Sequence, residues 1–305
     1  MSGVPTGVQS GYPLARLTTV RTGGPAEFFA RAGSEERLRE LLAWAADAQL
    51  EVGVVGSGSN LLVADEGVRG LVIKLDAELA RIDVEGTRVR CGGGARLPSA
   101  SAQAARSGLT GLEFGVNIPG TVGGAVKMNA NAYGGDLDRV LEWVEVVTAD
   151  GAERRAPESL GFAYRRSNLR SGEVVARASF ALAPAATERV KATLAEMRSQ
   201  RRAAQPSGVK TFGSTFKNPQ DARAGGRTAG QLLEAAGCRA LAVGGARFSD
   251  KHANFVENAG GATTCDVIAL MAEGRRRVRE RFGVTLEPEV QTLGPVAWPD
   301  EPEAP

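Results

Sequence analysis

Residues 111–135 read GLEFGVNIPGTVGGAVKMNANAYGG. Seven glycines are interspersed there with apolar residues, and we expect the fold to be organised around this stretch. A flexible linker is polar and rich in Gly and Ser, whereas Leu112 and Phe114 need burial. Glycines among apolar residues let the backbone take positive φ and approach a bulky group closely, and we expect Asn117 and Asn131 to tolerate the left-handed region. The stretch predicts a buried, tightly folded loop around a large flat ligand; the alternative is a glycine-rich crossing of two elements.

The composition is that of a globular protein with an excess of glycine. The chain has 305 residues, enough for two or three domains, with 43% hydrophobic and 24% charged residues. Its 39 glycines are nearly double the usual share. A net charge of +2 indicates neither wholesale nucleic-acid binding nor membrane attachment. No apolar run approaches the roughly 20 residues of a membrane span, and the N-terminus lacks a signal-peptide pattern, so we expect a cytoplasmic protein.

Cysteine and histidine, the usual ligands of zinc, are scarce in the chain. Cys91, Cys238 and Cys265 are widely spaced and form no CxxC pair, so neither a disulfide framework nor a thiolate zinc site is expected. His252 is the single histidine, and no GxSxG motif is present to supply the serine of a catalytic triad. We predict no metal site.

A second glycine-bearing motif, GSGSN at residues 56–60, follows a strand-like EVGVV. Several backbone N–H groups would surround one point there, which suits phosphate oxygens, and the side chains of Ser57, Ser59 and Asn60 could add donors. Strand-like sequence returns at 71–75, whereas a Rossmann unit would continue as a helix. The motif predicts a pyrophosphate-binding loop between strands, with a plain turn as the alternative.

The order of elements predicts an α+β fold. Ser34 is a good N-cap for an amphipathic helix, residues 82–84 and 89–91 form a hairpin, and so do the residues on either side of Ala149, Asp150 and Gly151. Helices from Thr187 to about residue 204, over 228–236 and over about 265–282 characterise a smaller second domain. The run GRRRVRER in the last helix is interpreted as its solvated face, with a nucleic-acid patch as the alternative.

These patterns divide the chain into four parts. We predict a loose lead-in at 1–16, a first region at 17–185 with two subdomains that split near 76, a second domain at 186–293, and a disordered acidic tail at 294–305.

Three polar segments could carry chemistry. FAYRRSNLR offers Arg165 or Arg166 to clamp a carboxylate or stabilise an oxyanion. GSTFKNP exposes the hydroxyl of Ser214, and LEPEV places Glu289 after a proline near the C-terminus. Taken singly, each could be an ordinary surface or turn residue.

Together and in this order, the segments resemble the UDP-N-acetylenolpyruvoylglucosamine reductase family over residues 17–293. The blocks that carry the resemblance are TxxxTGGPA, GSGSNLLV, IPGTVGGAVKMNANAYGG, YRRS, GSTFKNP, GGARFSDKHANF and LEPEV. The resemblance implies that 17–185 binds FAD non-covalently in a fold of the vanillyl-alcohol oxidase type. It also implies that 186–293 is the substrate domain, whose last strand packs back toward the N-terminal part.

The resemblance also implies roles for individual residues. Arg165 and Glu289 match the pair that polarises the substrate carboxylate and stabilises the enolate, and Ser214 matches the acid that protonates it. Expected contacts of the substrate are Lys217, Asn218, Arg198, Arg201 and His252, the last equally well a structural histidine. The expected FAD-binding residues are Gly56, Ser57, Gly58, Ser59, Asn60, Leu61, Pro119, Gly120, Thr121, Gly123, Gly124, Ala125 and Asn129.

The implied reaction is the NADPH-dependent reduction of UDP-N-acetylglucosamine enolpyruvate to UDP-N-acetylmuramate for peptidoglycan. We expect a monomer and, from the charge balance, binding to neither nucleic acid nor membrane. About 33 residues separate Arg165 from Arg198, too few for the tyrosine-bearing insertion of longer members, so the chain resembles the shorter, type II subclass. The alternatives are a flavin oxidase or dehydrogenase of the vanillyl-alcohol oxidase group, and a flavin or nucleotide-sugar binding protein without turnover.

Overall fold

The computed structural model describes residues 3–298, which form an α+β fold, as the sequence predicts. The helices of this part of the chain are α1 (Glu35–Asp47), α2 (Leu97–Arg106), α3 (Val122–Lys127), α4 (Thr187–Ala204), α5 (Ala229–Ala235) and α6 (Thr264–Phe282). The strands are β1 (Gln9–Pro13), β2 (Pro25–Ala32), β3 (Val52–Val54), β4 (Leu61–Val63), β5 (Val68–Leu75), β6 (Ile82–Glu85), β7 (Arg88–Gly92), β8 (Leu109–Thr110), β9 (Asn131–Ala132), β10 (Gly135–Asp136), β11 (Leu141–Val147), β12 (Ala152–Arg155), β13 (Val174–Ala181), β14 (Ala183–Pro184), β15 (Thr211–Ser214), β16 (Ala242–Val243), β17 (Ala246–Phe248), β18 (Phe255–Asn258) and β19 (Gln291–Leu293).

The chain folds into two compact units that interleave in sequence. Unit 1 comprises the residues up to Tyr12, Glu27–Ser57 and Arg69–Arg201, and unit 2 comprises Pro13–Ala26, Gly58–Val68 and the residues from Arg202 onward. The sequence predicts a boundary at 185/186, whereas the unit boundary follows Arg201. The difference arises because α4 packs within unit 1, where Val190 and Leu194 share a buried cluster with Ala105 and Val116.

The first sheet of unit 1 has the strand order β1-β2-β5-β3, with β3 and β5 parallel. The Ser34 hydroxyl accepts a hydrogen bond from the Arg37 N–H at 3.2 Å and caps α1, as predicted. One face of α1 is buried in the same cluster as Leu71 and Ile73 of β5. The predicted loose lead-in is wrong for residues 9–13, which form strand β1.

The second sheet of unit 1 is antiparallel, with the order β12-β11-β13-β7-β6. The predicted hairpin has the expected register, with Val84 opposite Val89 and Ile82 opposite Cys91. Helices α2 and α3 contribute buried residues to the same core as this sheet. The glycine-rich stretch, which includes α3, therefore shares one hydrophobic core with this sheet.

The glycine-rich stretch is not the loop that the sequence predicts, because it contains a 3-10 helix, Glu113–Asn117, and helix α3. Two glycines in six residues make a poor helix by propensity. Burial of Val122 and Val126 compensates, and Gly123 N donates a 2.8 Å hydrogen bond to the Gly93 carbonyl. A Cβ at Gly123 would lie 3.1 Å from that carbonyl oxygen, a tighter contact than most side chains make, so the close approach favours glycine.

The left-handed residues of this stretch also differ from the prediction. Neither Asn117 nor Asn131 has positive φ; among the non-glycine residues described there, Asn129 (φ 40°) and Tyr133 (φ 53°) do. Asn117 is buried and donates through Nδ2 to the Tyr133 hydroxyl at 2.9 Å and to the Met197 carbonyl at 2.7 Å. Its function is therefore to bind α4, not to supply backbone freedom.

Unit 2 is built on the antiparallel sheet β15-β18-β17-β16, with α5 and α6 contributing to its core. Strand β19 pairs in parallel with β4, so that Gln291 lies opposite Leu61. Val296 and Trp298 pack against the core of the unit, which corrects the prediction of a disordered segment for 294–298. The rest of the predicted tail, 299–305, lies outside the described residues.

Candidate active site

The GSGSN motif lies where the chain passes from unit 1 to unit 2, between Ser57 and Gly58. In unit 1, the Gly56 carbonyl accepts a hydrogen bond from Lys74 Nζ. A Cβ at Gly56 would lie 2.5 Å from Thr121 Oγ1, inside any acceptable contact. Gly56 is therefore fixed on both sides, by a cation on its carbonyl and by a hydroxyl against its Cα.

In unit 2, the next glycine of the motif is fixed by the TxxxTGGPA block. Gly58 has φ +63°, and a Cβ there would lie 2.0 Å from the Leu17 carbonyl oxygen. The Gly58 carbonyl accepts hydrogen bonds from Thr19 N at 3.0 Å and from Thr19 Oγ1 at 3.1 Å. Residues in and directly before the TxxxTGGPA block thus fix the backbone of Gly58.

Asn60 connects the motif to the C-terminal segment of unit 2. Its Nδ2 donates a 3.1 Å hydrogen bond to the Glu289 carbonyl, and its own carbonyl accepts a 3.1 Å bond from Gln291 N. The sequence predicts Asn60 as a donor to a cofactor, but this bond commits one of its amide hydrogens to the protein. Leu61 begins β4 directly afterwards.

Helix α3 has one open glycine, Gly124. Thr121 caps the helix by accepting from Gly124 N at 3.4 Å. A Cβ at the exposed Gly124 would meet only Thr121 Oγ1, at 3.5 Å, so a ligand has room to approach the backbone there. Asn129, just after the helix, is 8% exposed, and its Oδ1 accepts no hydrogen bond from the described residues. A buried acceptor that receives no hydrogen bond from the described residues fits a flavin, whose ring system carries an N–H donor.

Arg165 is held in an unusual backbone conformation. Its φ is +56°, which is costly for a residue with a Cβ and is often found at functional sites. Its Nη1 donates to Asn131 Oδ1 at 2.5 Å and to the Asn131 carbonyl at 3.3 Å. The guanidinium carbon also lies 5.1 Å from the centroid of the Tyr164 ring. Arg165 is thus oriented within unit 1 by the last part of the glycine-rich stretch.

Arg201 differs from the exposed Arg198 on the same helix. It is half-buried, and its Nη1 donates to the Asn117 carbonyl. Burial lowers the pKa of its guanidinium, and the ionisable hydroxyl of Tyr133 offsets this only in part. No carboxylate among the described residues forms an ion pair with Arg201. A half-buried guanidinium without a carboxylate is suited to an anionic ligand.

Ser214 is the last residue of β15, after an irregularity in the pairing of β15 with β18. Gly213 has φ +87° and makes this bulge possible. A Cβ at Gly213 would lie 3.6 Å from the Ser59 carbonyl oxygen. The residue before Ser214 therefore lies beside the part of the GSGSN motif that belongs to unit 2. Because of the bulge, the direction of the Ser214 side chain does not follow the regular alternation of side chains along β15.

The other polar residues of GSTFKNP have partners within unit 2. Lys217 Nζ lies 3.2 Å from a Glu287 carboxylate oxygen. Asn218 is exposed, and its Oδ1 accepts a 3.1 Å hydrogen bond from Ala229 N at the start of α5.

His252 packs against a helix. A Cβ at Gly230 of α5 would lie 2.6 Å from its Cε1, and its ring meets Phe255 edge-on with centroids 5.0 Å apart. Its Nδ1 accepts a 3.2 Å hydrogen bond from Asn254 N. Burial is the main cause that lowers the pKa of the imidazole. Of the two sequence interpretations, these contacts favour the structural one.

The sequence motifs do not include Lys74, which bonds to Gly56 in unit 1, and they give no role to Asn254, which bonds to Phe216 in unit 2. Lys74 lies in a strand with no motif around it, so no signal pointed to it. Asn254 lies in the block GGARFSDKHANF, two residues after the single histidine, and no local pattern distinguishes its amide from that of an ordinary loop asparagine.

Two further observations concern the whole of residues 3–298. No helix in this range is long and apolar enough to cross a membrane. Nor does any group of three or more His, Cys, Asp or Glu in the same range form a possible metal site.

The fold is that of an FAD-binding protein, and a family model described as an FAD binding domain matches residues 26–156. A second model, described as the C-terminal domain of UDP-N-acetylenolpyruvoylglucosamine reductase, matches residues 205–293. The chain belongs to the UDP-N-acetylenolpyruvoylglucosamine reductase family, as its sequence motifs predict.

Similar proteins span nearly the whole chain. UDP-N-acetylenolpyruvoylglucosamine reductase 2 of Symbiobacterium thermophilum is 45% identical over 96% of this chain and 94% of its own length. The enzyme so named from Anaeromyxobacter sp. strain Fw109-5 is 44% identical over 92% of this chain and 87% of its own. The crystal structure of the reductase from Thermus caldophilus superimposes with a TM-score of 0.80 at 37% identity, covering 94% of this chain and 98% of that one.

Proposed function

We propose that the protein reduces UDP-N-acetylglucosamine enolpyruvate to UDP-N-acetylmuramate in peptidoglycan synthesis, with NADPH as reductant and FAD bound non-covalently. The observation that carries this proposal is the 45% identity to a named reductase over 96% of the chain. Bound FAD supplies the hydride-transfer chemistry, and the chain's own residues supply binding, orientation and proton transfer.

We assign Arg165 to the negative charge that develops on the carboxylate end of the substrate. A guanidinium that is fixed before the reaction stabilises such charge without reorganisation, and its two contacts with Asn131 support this assignment. Glu289 is assigned with Arg165 to polarising the substrate carboxylate, a role that it would perform as the protonated acid, because an ionised carboxylate would repel that charge.

We assign Ser214 to protonation of the enolate carbon. A hydroxyl is a weak acid in water, so it needs a source that replaces its proton. Because Lys217 pairs with Glu287, we propose a chain of water molecules as that source. Arg201, Arg198, Lys217 and Asn218 are proposed to bind the diphosphate and sugar, and His252 to support the fold of unit 2.

We further propose that the protein works in the cytoplasm as a monomer that binds neither nucleic acid nor membrane. Its net charge of +2 and its soluble nucleotide substrates support this assignment. Sedimentation of the purified protein with and without vesicles or duplex DNA would test it, and co-sedimentation or a larger species would contradict it.

The function is tested by the absorption spectrum of the purified protein and by NADPH oxidation measured both without and with oxygen. A bound flavin and NADPH consumption that requires UDP-N-acetylglucosamine enolpyruvate would support the proposal. Consumption that depends on oxygen instead would indicate a flavin oxidase, and a bound flavin without turnover would indicate a binding protein.

A further inference from the structure

Asn254 makes an unusual set of hydrogen bonds to the segment that follows Ser214. The residue is 4% exposed and lies just before β18. Its Oδ1 accepts from Phe216 N at 2.9 Å, and its Nδ2 donates to the Phe216 carbonyl at 2.9 Å. Its own carbonyl accepts from Thr215 N at 2.8 Å. Asn254 thus forms hydrogen bonds with three backbone groups of Thr215 and Phe216, the two residues after Ser214.

The opposite edge of the same segment is bound to the chain that carries Glu289. The Thr215 carbonyl accepts a 2.9 Å hydrogen bond from Glu289 N, and Lys217 N donates a 2.9 Å bond to the Glu287 carbonyl. Phe216 pairs with Pro288 as an isolated bridge. Residues 215–217 are therefore held between Asn254 on one side and the segment 287–289 on the other.

The side chain of Asn254 takes the place of a strand at this point. Regular pairing of β15 with β18 ends at Ser214, opposite Phe255. Beyond it, a donor and an acceptor on one short side chain reproduce the two bonds that a strand partner would make to Phe216. A carboxamide offers both groups, whereas an ionised carboxylate only accepts.

We propose that Asn254 is a positioning residue for Ser214 and, through Thr215, for Glu289. The inference rests on the proposed function of those two residues. Asn254 bonds to backbone groups and acts only through the residues that it holds. Its effect should therefore fall on the step in which substrate accepts hydride and a proton, and not on the reduction of the flavin by NADPH.

The test compares the two half-reactions of Asn254→Asp by rapid mixing. This variant keeps the acceptor for Phe216 N and replaces the donor by a carboxylate that repels the Phe216 carbonyl. We expect flavin reduction by NADPH within about twofold of wild type and reoxidation by the enolpyruvyl substrate slowed about tenfold or more, since small displacements of reacting groups have large effects on rate.

Asn258→Asp is the matched control. Asn258 lies at the other end of β18, and its amide also bonds to backbone, donating to the Val20 carbonyl at 3.0 Å and accepting from Gly260 N at 3.1 Å. It does not bond to residues 214–217. A general loss of stability in unit 2 would appear in both variants, whereas the altered ratio of the half-reactions should appear only in Asn254→Asp.

A double-mutant cycle gives the sharpest outcome. If Asn254 acts through Ser214, then Asn254→Asp should add less to the effect of Ser214→Ala than it costs alone. Equal slowing of both half-reactions, full additivity, or the same change in Asn258→Asp would overturn the inference.

If Asn254→Asp does not retain flavin, the same measurements are made on Asn254→Ser. This variant removes both side-chain hydrogen bonds to Phe216 without adding a charge. Loss of flavin in both variants would also overturn the inference, since the residue would then be needed for the fold as a whole. The wild-type reaction tests the proposed function separately, because its failure with the enolpyruvyl substrate would be seen before any variant is compared.

Discussion

Asn60 Nδ2 lies 3.1 Å from the Glu289 carbonyl oxygen and donates a hydrogen bond to it. Within unit 2, this bond joins the end of the GSGSN motif to the segment that carries the proposed catalytic carboxylate. The parallel pairing of β4 with β19 continues the connection directly afterwards. Cofactor binding and the placement of Glu289 should therefore respond to the same substitutions in this part of unit 2.

Ser214→Ala should leave flavin reduction by NADPH unchanged and slow oxidation by the enolpyruvyl substrate. The proposed proton donor acts only in the second step, and loss of a general acid typically costs about 10²–10⁴-fold. Rapid-mixing measurements of both half-reactions check this. The control is Ser199→Ala, at an exposed position of α4. Equal losses in the two steps of Ser214→Ala would count against the assignment.

Gly56→Ala should weaken FAD retention by more than about tenfold. A Cβ there would lie 2.5 Å from Thr121 Oγ1, so the motif or the cap of α3 must move. Fluorescence titration of the apoprotein with FAD measures the effect. Gly33→Ala is the matched control, because its Cβ would meet only Ala77 Cβ, at 3.4 Å. An unchanged FAD affinity in Gly56→Ala would refute the close packing at this position.

Asn131→Ala should impair use of the substrate about tenfold or more without changing flavin reduction. The substitution removes the side-chain oxygen that accepts from Arg165 at 2.5 Å, so the guanidinium loses its fixed orientation. Steady-state kinetics with varied enolpyruvyl substrate measure the loss. Arg166→Ala, at the exposed neighbouring position, should be close to wild type. A larger effect in Arg166→Ala than in Asn131→Ala would show that the wrong arginine was assigned.

Lys74 should give the protein a pH-dependent stability that a Lys74→Met variant lacks. Burial, with help from the charge of Arg31, lowers the pKa of the ammonium below its ordinary value of 10.5. Between the lowered pKa and 10.5, the unfolded chain binds more protons at Lys74 than the folded chain, so the free energy of unfolding rises with pH there.

The measurement is urea unfolding of wild type and Lys74→Met at several alkaline pH values. The difference in unfolding free energy, wild type minus variant, should increase with pH over that window. A difference that stays constant or falls would contradict the lowered pKa.

Local sequence signals predicted the elements that depend on neighbouring residues. The cap at Ser34 and the pairing of Val84 with Val89 follow from patterns within a few positions, and both are confirmed. Helix α3 was missed because its two glycines argue against a helix, and it depends on the approach of Gly123 to Gly93, which no local pattern records.

For the candidate site, too, local sequence signals identify some features and tertiary contacts determine the others. Motif blocks identified Arg165, Ser214 and Glu289 as candidates, but not what holds them. The bonds of Asn254 to Phe216 join positions 38 residues apart, and those of Asn131 to Arg165 join positions 34 residues apart. Such partners are set by the tertiary fold, so a single sequence could not predict them.

Reduction of the enolpyruvyl substrate by the protein-bound flavin is tested most directly by anaerobic titration of the purified protein, followed through the absorbance of the flavin. NADPH should bleach the flavin, and UDP-N-acetylglucosamine enolpyruvate should then restore its colour while UDP-N-acetylmuramate forms in equal amount. A reduced flavin that stays bleached with this substrate and regains its colour only in oxygen would contradict the account.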